Sequence, residues 1–149
     1  MQLKWIPTEK KRFLPLLLLG DEQESMIDRY LMRGTMYAAY DGETAAGVMV
    51  FVRLSQDVYE LKNLAVAPAY QGKGVGKWMV QNLCAMCRAR GAAVLRVGTG
   101  ESPRTLRFYQ RCGFAECGRE AGFFTRYYDH PIVEDGVTLR DMIYLEKAL

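Results

Sequence analysis

The spacing of hydrophobic residues changes along the chain, and each change marks an element. From Thr8 to Arg33 the pattern is helical. Thr8 is a capping residue type with Glu9 in the first turn. Pro15 splits the segment, Gly20-Asp21 breaks it, and a second helix is expected to about Met32, before Gly34. The period then shortens. Met36 to Tyr40 reads as a strand, and Asp41-Gly42 is a hairpin signal. Gly47 to Leu54 is almost continuously apolar (Val48, Met49, Val50, Phe51, Val52), which predicts a strand inside a sheet. Tyr59 to Val66 is the third strand of this reading, stopped by Pro68. Residues 75–90 return to helical spacing, with Trp78, Met79, Leu83, Met86 and Cys87 on one stripe and Gly91 as the C-cap. Ala93 to Val97 reads as a strand and Pro103 to Cys112 as a helix ended by Gly113. Further strands are expected near 115–126 and 137–146, with Glu134-Asp135-Gly136 as the turn between them.

This order predicts a mixed α/β layer, a central sheet with helices on its faces. No linker, internal repeat or low-complexity segment divides the 149 residues, a length suited to one domain spanning 1–149. A hydrophobic fraction of 50% and a charged fraction of 25% are those of an ordinary globular chain. The net charge of +3 suits an anionic ligand. Scattered among acids, the basic residues form no patch for nucleic acid. The longest apolar run, Leu16 to Leu19, is far short of the roughly 20 residues of a membrane span. Met1 to Pro7 lacks the layout of a signal peptide, so a cytoplasmic location is expected. Cys84 and Cys87 form a CxxC, but the pair falls mid-helix, with no second CxxC and His130 as the single histidine. Buried free thiols are the expectation, and no metal.

The stretch that carries chemistry is Tyr70-Gln71-Gly72-Lys73-Gly74-Val75-Gly76-Lys77. Alternating glycines let the backbone curl tightly, and the helix that follows contributes unpaired N–H groups and the positive end of its dipole. Such a concavity binds phosphate or pyrophosphate, with Lys73 and Lys77 adding charge. A Walker loop would need Ser or Thr after its Lys, whereas Trp78 follows Lys77. The dinucleotide fingerprint GxGxxG does not match the GxGxG found here.

The run Glu60 to Pro68, followed by Gln71, Gly74 and Gly76, resembles motif A of the GNAT superfamily of N-acetyltransferases. Thr105 to Phe114, with Tyr109 and Gly113-Phe114, resembles that family's later helix. The resemblance implies a GNAT-like acyl-CoA N-acyltransferase fold, with a mostly antiparallel sheet of six or seven strands and four or so helices. It also implies acetyl-CoA as co-substrate. The pantetheine arm would lie beside Leu64, Ala65 and Val66, and the pyrophosphate on Gln71, Gly72, Lys73, Gly74, Val75, Gly76 and Lys77. An amine would attack the thioester directly. Tyr109 corresponds to the family tyrosine that protonates the departing sulfur. Glu60, 11 positions before Gln71, matches the base of some members, and a water could serve instead. Where the family often carries an Asn, this chain has Gly98 to Pro103, leaving Ser102 or Thr99 as cofactor contacts.

The acceptor is a small-molecule or peptide amine, sought among Tyr30, Tyr37, Phe123, Phe124, Tyr127, Tyr128, Asp129 and Glu134. The aromatic segment 123–131 reads either as a strand end packed on the sheet or as part of an acceptor pocket or dimer surface; a monomer and a homodimer are both compatible with it. His130, before Pro131, is expected in an exposed loop. A non-catalytic acetyl-CoA sensor of the same fold is the alternative function.

Overall fold

The structure, a computed structural model, describes all 149 residues. Seven strands form one sheet in the order β1 (Gln2–Trp5), β2 (Thr35–Asp41), β3 (Thr44–Arg53), β4 (Val58–Val66), β5 (Val94–Thr99), β9 (Met142–Ala148), β6 (Ala115–Glu120). All neighbours are antiparallel except β4 and β5. A separate two-stranded ribbon joins β7 (Val133–Glu134) to β8 (Val137–Thr138).

β3 is central and contributes buried side chains to both faces, as its unbroken apolar run predicts. On one face Met49 and Phe51 pack with Met79, Leu83 and Cys87 of α3 (Val75–Ala89) and with Tyr109 of α4 (Pro103–Arg111). On the other, Val48, Val50 and Val52 pack against Leu17 of α1 (Leu14–Gly20), Ile27 of α2 (Glu24–Ile27), and Tyr30 and Leu31 beyond it. Cys84, Cys87 and Cys112 are buried free thiols, and Cys117 is exposed on β6. The CxxC pair thus fills the α3 face as small hydrophobes do. No helix is long and apolar enough to cross a membrane.

The structure corrects several expected boundaries. β1 was unforeseen: four residues with three exposed side chains carry no periodic signal, and the strand exists because β2 offers it an edge. As a result the glycine-rich loop follows the fourth strand, not the third. The expected helix over 8–33 is a 3₁₀ turn (Lys10–Phe13), α1, and an α2 of four residues. Glu9, not Thr8, is at the N-cap, in left-handed backbone and without a side-chain cap. The expected strand over 115–126 ends at Glu120, and Phe123–Tyr127 is a helix, α5. Its Phe124 turns into a small core with Ile132 and Leu139, and that burial outweighs aromatic strand propensity. The turn at Asp135-Gly136 lies within the β7–β8 ribbon rather than between two sheet strands.

Candidate active site

The site begins where two parallel strands part. β4 pairs with β5 from Val58↔Val94 to Leu61↔Val97, and no further. β4 continues to Val66 against β3 alone, while Gly98 and Thr99 continue against β9. At the parting point the β3–β4 register slips: Val50 faces Asn63 and Phe51 faces Leu61, leaving Lys62 as an extra residue. A bulge bends its strand and resets side-chain alternation. Here it brings Glu60 and Asn63, three apart, to the same face as Val52 and Val50, toward α1 and α2. The opened cleft is lined by Leu61, Asn63, Leu64, Gly98, Thr99 and Tyr109.

At the far end of β4 lies the glycine-rich loop. The backbone N–H groups of Gly72, Lys73, Gly74, Val75, Gly76 and Lys77 make no hydrogen bond within the protein; the first one of α3 runs from Trp78 to Gly74 O, 3.0 Å. Six consecutive free donors at a helix start form an anion cradle. Gly72 and Gly74 have φ of +73° and +82°, which L side chains rarely adopt. Gly76 serves differently: a Cβ there would stand 3.2 Å from the Phe108 ring. A groove of about 530 Å³ runs along the cradle, with Lys77, Arg104, Arg107 and Arg111 on its walls. The three arginines come from α4 and were not foreseen; their i, i+3 and i, i+4 spacing on a helix is the signal that could have shown them. Gln71 donates through Nε2 to Val66 O at 2.9 Å, tying the loop to the strand. Lys73 lies outside the groove with Nζ 6.0 Å from the Tyr70 ring centre. Ser102 is fully buried at the N-cap of α4, its hydroxyl 3.4 Å from Asp135 Oδ2. It lies away from the groove, whereas Thr99 lines the cleft.

Tyr109 is wedged edge-on between Phe108 and Phe114, with ring centres 5.0 and 5.7 Å away. It lines the cleft on the α4 side. Burial pushes its phenol pKa well above the ordinary value, with smaller contributions from Cys112 and Glu134. The hydroxyl therefore stays protonated. Glu60 has only 7% of its side chain exposed; Lys62 Nζ is 2.7 Å from Oε1 and Arg96 Nε is 3.4 Å from Oε2. Arg96 is in turn stacked 4.0 Å over the Tyr144 ring.

A parallel-strand fork, a cradle of free amides at a helix start and a tyrosine beside the fork lie along one continuous stretch of the molecule. Residues 5–114 match the acetyltransferase (GNAT) family. The chain belongs to that family. It is 39% identical over 131 residues to YvbK of Bacillus subtilis, an uncharacterized N-acetyltransferase, covering 87% of this chain and 84% of YvbK. A GNAT family acetyltransferase from Elizabethkingia anophelis, solved with acetyl-CoA bound, superposes with a TM-score of 0.94 at 30% identity, covering 99% of this chain and 97% of its own. A Bacillus subtilis acetyltransferase in complex with CoA gives 0.91 at 35% identity, over 99% and 98%.

In this GNAT acetyltransferase a second cavity, of about 320 Å³, opens from the fork on the α1–α2 side and shares Leu61, Lys62 and Gly98 with the cleft. Phe123, Tyr127 and Tyr128 line it, so the aromatic segment contributes to the cavity through α5. Tyr37 instead stacks on Phe51 across the sheet, and Phe124 is buried in the small core. His130 is exposed, with Nδ1 2.6 Å from Asp129 and Nε2 3.4 Å from Glu22; both carboxylates raise its pKa, Asp129 more. Asp21 was missed by sequence reasoning. Its Oδ1 accepts from Tyr128 at 2.6 Å and its Oδ2 from Tyr30 at 3.1 Å, while Tyr30 accepts from Asn63 Nδ2 at 3.0 Å. Burial raises the Asp21 carboxyl above the ordinary carboxylate range, against the two tyrosine bonds. In the sequence Asp21 looked like a helix breaker after Gly20. Its partners lie 9 and 107 positions away, and no local spacing points to them.

Proposed function

We propose that the chain transfers the acetyl group of acetyl-CoA to a primary amine, by direct attack of the amine on the thioester within the β4–β5 fork. The observation that carries this is the continuity of fork and cradle: a β4 edge with no strand beside it from Lys62 to Val66, where Gln71 takes the Val66 carbonyl, then six free N–H groups. The strand edge beside Leu64, Ala65 and Val66 suits the amides of pantetheine. The cradle and Lys77, Arg104, Arg107 and Arg111 suit its phosphates. The solved relatives holding acetyl-CoA and CoA support this choice of co-substrate.

The amine arrives as an ammonium and must lose a proton before it attacks. Glu60, facing the acceptor cavity at the fork, takes that proton directly or through a water. As the C–S bond breaks, the sulfur gains the electron pair and Tyr109 gives it a proton. The test is isothermal titration with acetyl-CoA, ATP and NAD, followed by free-thiol release across primary amines. Selective acetyl-CoA binding with amine-dependent thiol release is expected. Binding without turnover of any amine would leave a sensor of the same fold. No binding by the folded protein would overturn the proposal.

A further inference from the structure

The acceptor cavity is lined by charges of both signs. Three carboxylates line it, and each is already engaged: Asp21 by two tyrosines, Glu60 by Lys62 and Arg96, and Glu120 by Arg126. Two arginines on the same wall, Arg29 and Arg33, form no ion pair; the neighbouring Asp28 is taken by Lys11 at 2.7 Å. Both are exposed, and both line this cavity but neither the cleft nor the cradle. Asp21, Lys62 and Gly98, by contrast, are shared with the adjoining spaces. The lining therefore holds three compensated carboxylates and two guanidinium groups that stand uncompensated.

Their placement is built rather than incidental. Arg33 Nε donates to the backbone O of Arg29 at 3.3 Å, which ties the Arg33 side chain to the preceding turn. The Arg29 guanidinium lies 4.9 Å over the Tyr127 ring, which holds it at the cavity wall. The fork geometry of guanidinium matches carboxylate or phosphate, so two unpaired guanidinium groups on one cavity lining favour an anion there.

Resting on the acetyl-transfer reading, we infer that the acceptor is a primary amine that also carries an anionic group, a carboxylate or a phosphate, and that Arg29 and Arg33 hold that group. The amine then points to Asp21 and Glu60. An acceptor bearing only positive charge is disfavoured by the same two arginines.

The test separates binding from turnover. With the cradle saturated by CoA, 3-phenylpropionate and benzylphosphonate are titrated against the neutral 3-phenylpropionamide. At least one anionic probe should bind about tenfold or more tighter than the amide, as expected for charge-assisted hydrogen bonds. Arg29→Ala/Arg33→Ala should erase that preference while CoA affinity is kept, which shows that the variant is folded. Thiol release with phenylalanine against phenylalaninamide, and with glucosamine 6-phosphate against glucosamine, then tells carboxylate from phosphate. Equal binding of anionic and neutral probes, no binding of either, or a preference that survives the double substitution overturns the inference. Any of these with amine-dependent thiol release intact leaves acetyl transfer standing. Anion preference without thiol release from any amine would overturn acetyl transfer instead.

Discussion

The half of this acetyltransferase proposed to hold the cofactor and the half proposed to hold the acceptor are built on different principles. The first runs through one stretch of chain, from β4 through the loop into α3, and its main groups are backbone N–H donors and a bare strand edge. The second is assembled from side chains of residues 21–33, 60–62, 120–128 and 142–144. A backbone site depends on glycine placement and helix start, and tolerates change in most side chains. A side-chain site depends on which distant elements meet.

The largest effect is expected where the backbone site is most constrained. Gly74→Glu forces a Cβ into left-handed backbone, costing about 1–2 kcal/mol, and places a carboxylate in the cradle. Acetyl-CoA affinity should fall by more than about 100-fold, read by titration calorimetry. Unchanged affinity would mean that the phosphates do not bind at the loop, and the contrast between halves would collapse.

Glu60→Gln and Tyr109→Phe come next. Each should lower kcat by about 10–100-fold, the lower part of the range for proton-transfer groups, because a thiolate leaves without much help. Acetyl-CoA affinity should change by less than about threefold in both. Loss of affinity and turnover together would move Tyr109 to a packing role between Phe108 and Phe114.

Asp21→Asn probes the acceptor half through stability. Asp21 has a raised pKa in the folded state, so between its unfolded and folded values the native protein binds more protons. Stability relative to Asp21→Asn should therefore be greatest below the unfolded value and decline as pH rises through the folded one. Urea denaturation of both proteins from about pH 4 to about pH 8 measures it. An identical pH dependence would show that the Tyr30–Asp21–Tyr128 cluster does not perturb the carboxyl.

The smallest effect is a control on the core shared by both halves. Cys87, its thiol pKa raised to about 12 by burial, with Cys84 adding to the shift, should be inert in the folded protein. A thiol reagent should label Cys117 first and Cys84, Cys87 and Cys112 only on unfolding, with acetyl-CoA affinity unaffected by the first event. Rapid labelling of Cys87 would indicate that α3 opens from the sheet.

Determined by sequence alone were the features set by local geometry. Gly72 and Gly74 before a helical stripe fix the cradle, and the apolar run 47–54 fixes the strand buried on both faces. The motif residues Gln71, Gly74, Gly76 and Tyr109 carry the resemblance to the family in the sequence itself. Only the tertiary structure decided the rest. The bulge at Lys62 breaks the period of two and brings Glu60 and Asn63 to one face, and register depends on the partner strand. Phe123–Tyr127 became a helix because a small core took Phe124. Asp21, Arg29 and Arg33 became cavity residues because α5, from the other end of the chain, closes over them. Contacts between residues a hundred positions apart leave no periodic trace in the sequence, because periodicity records only which way a side chain faces and not what it meets.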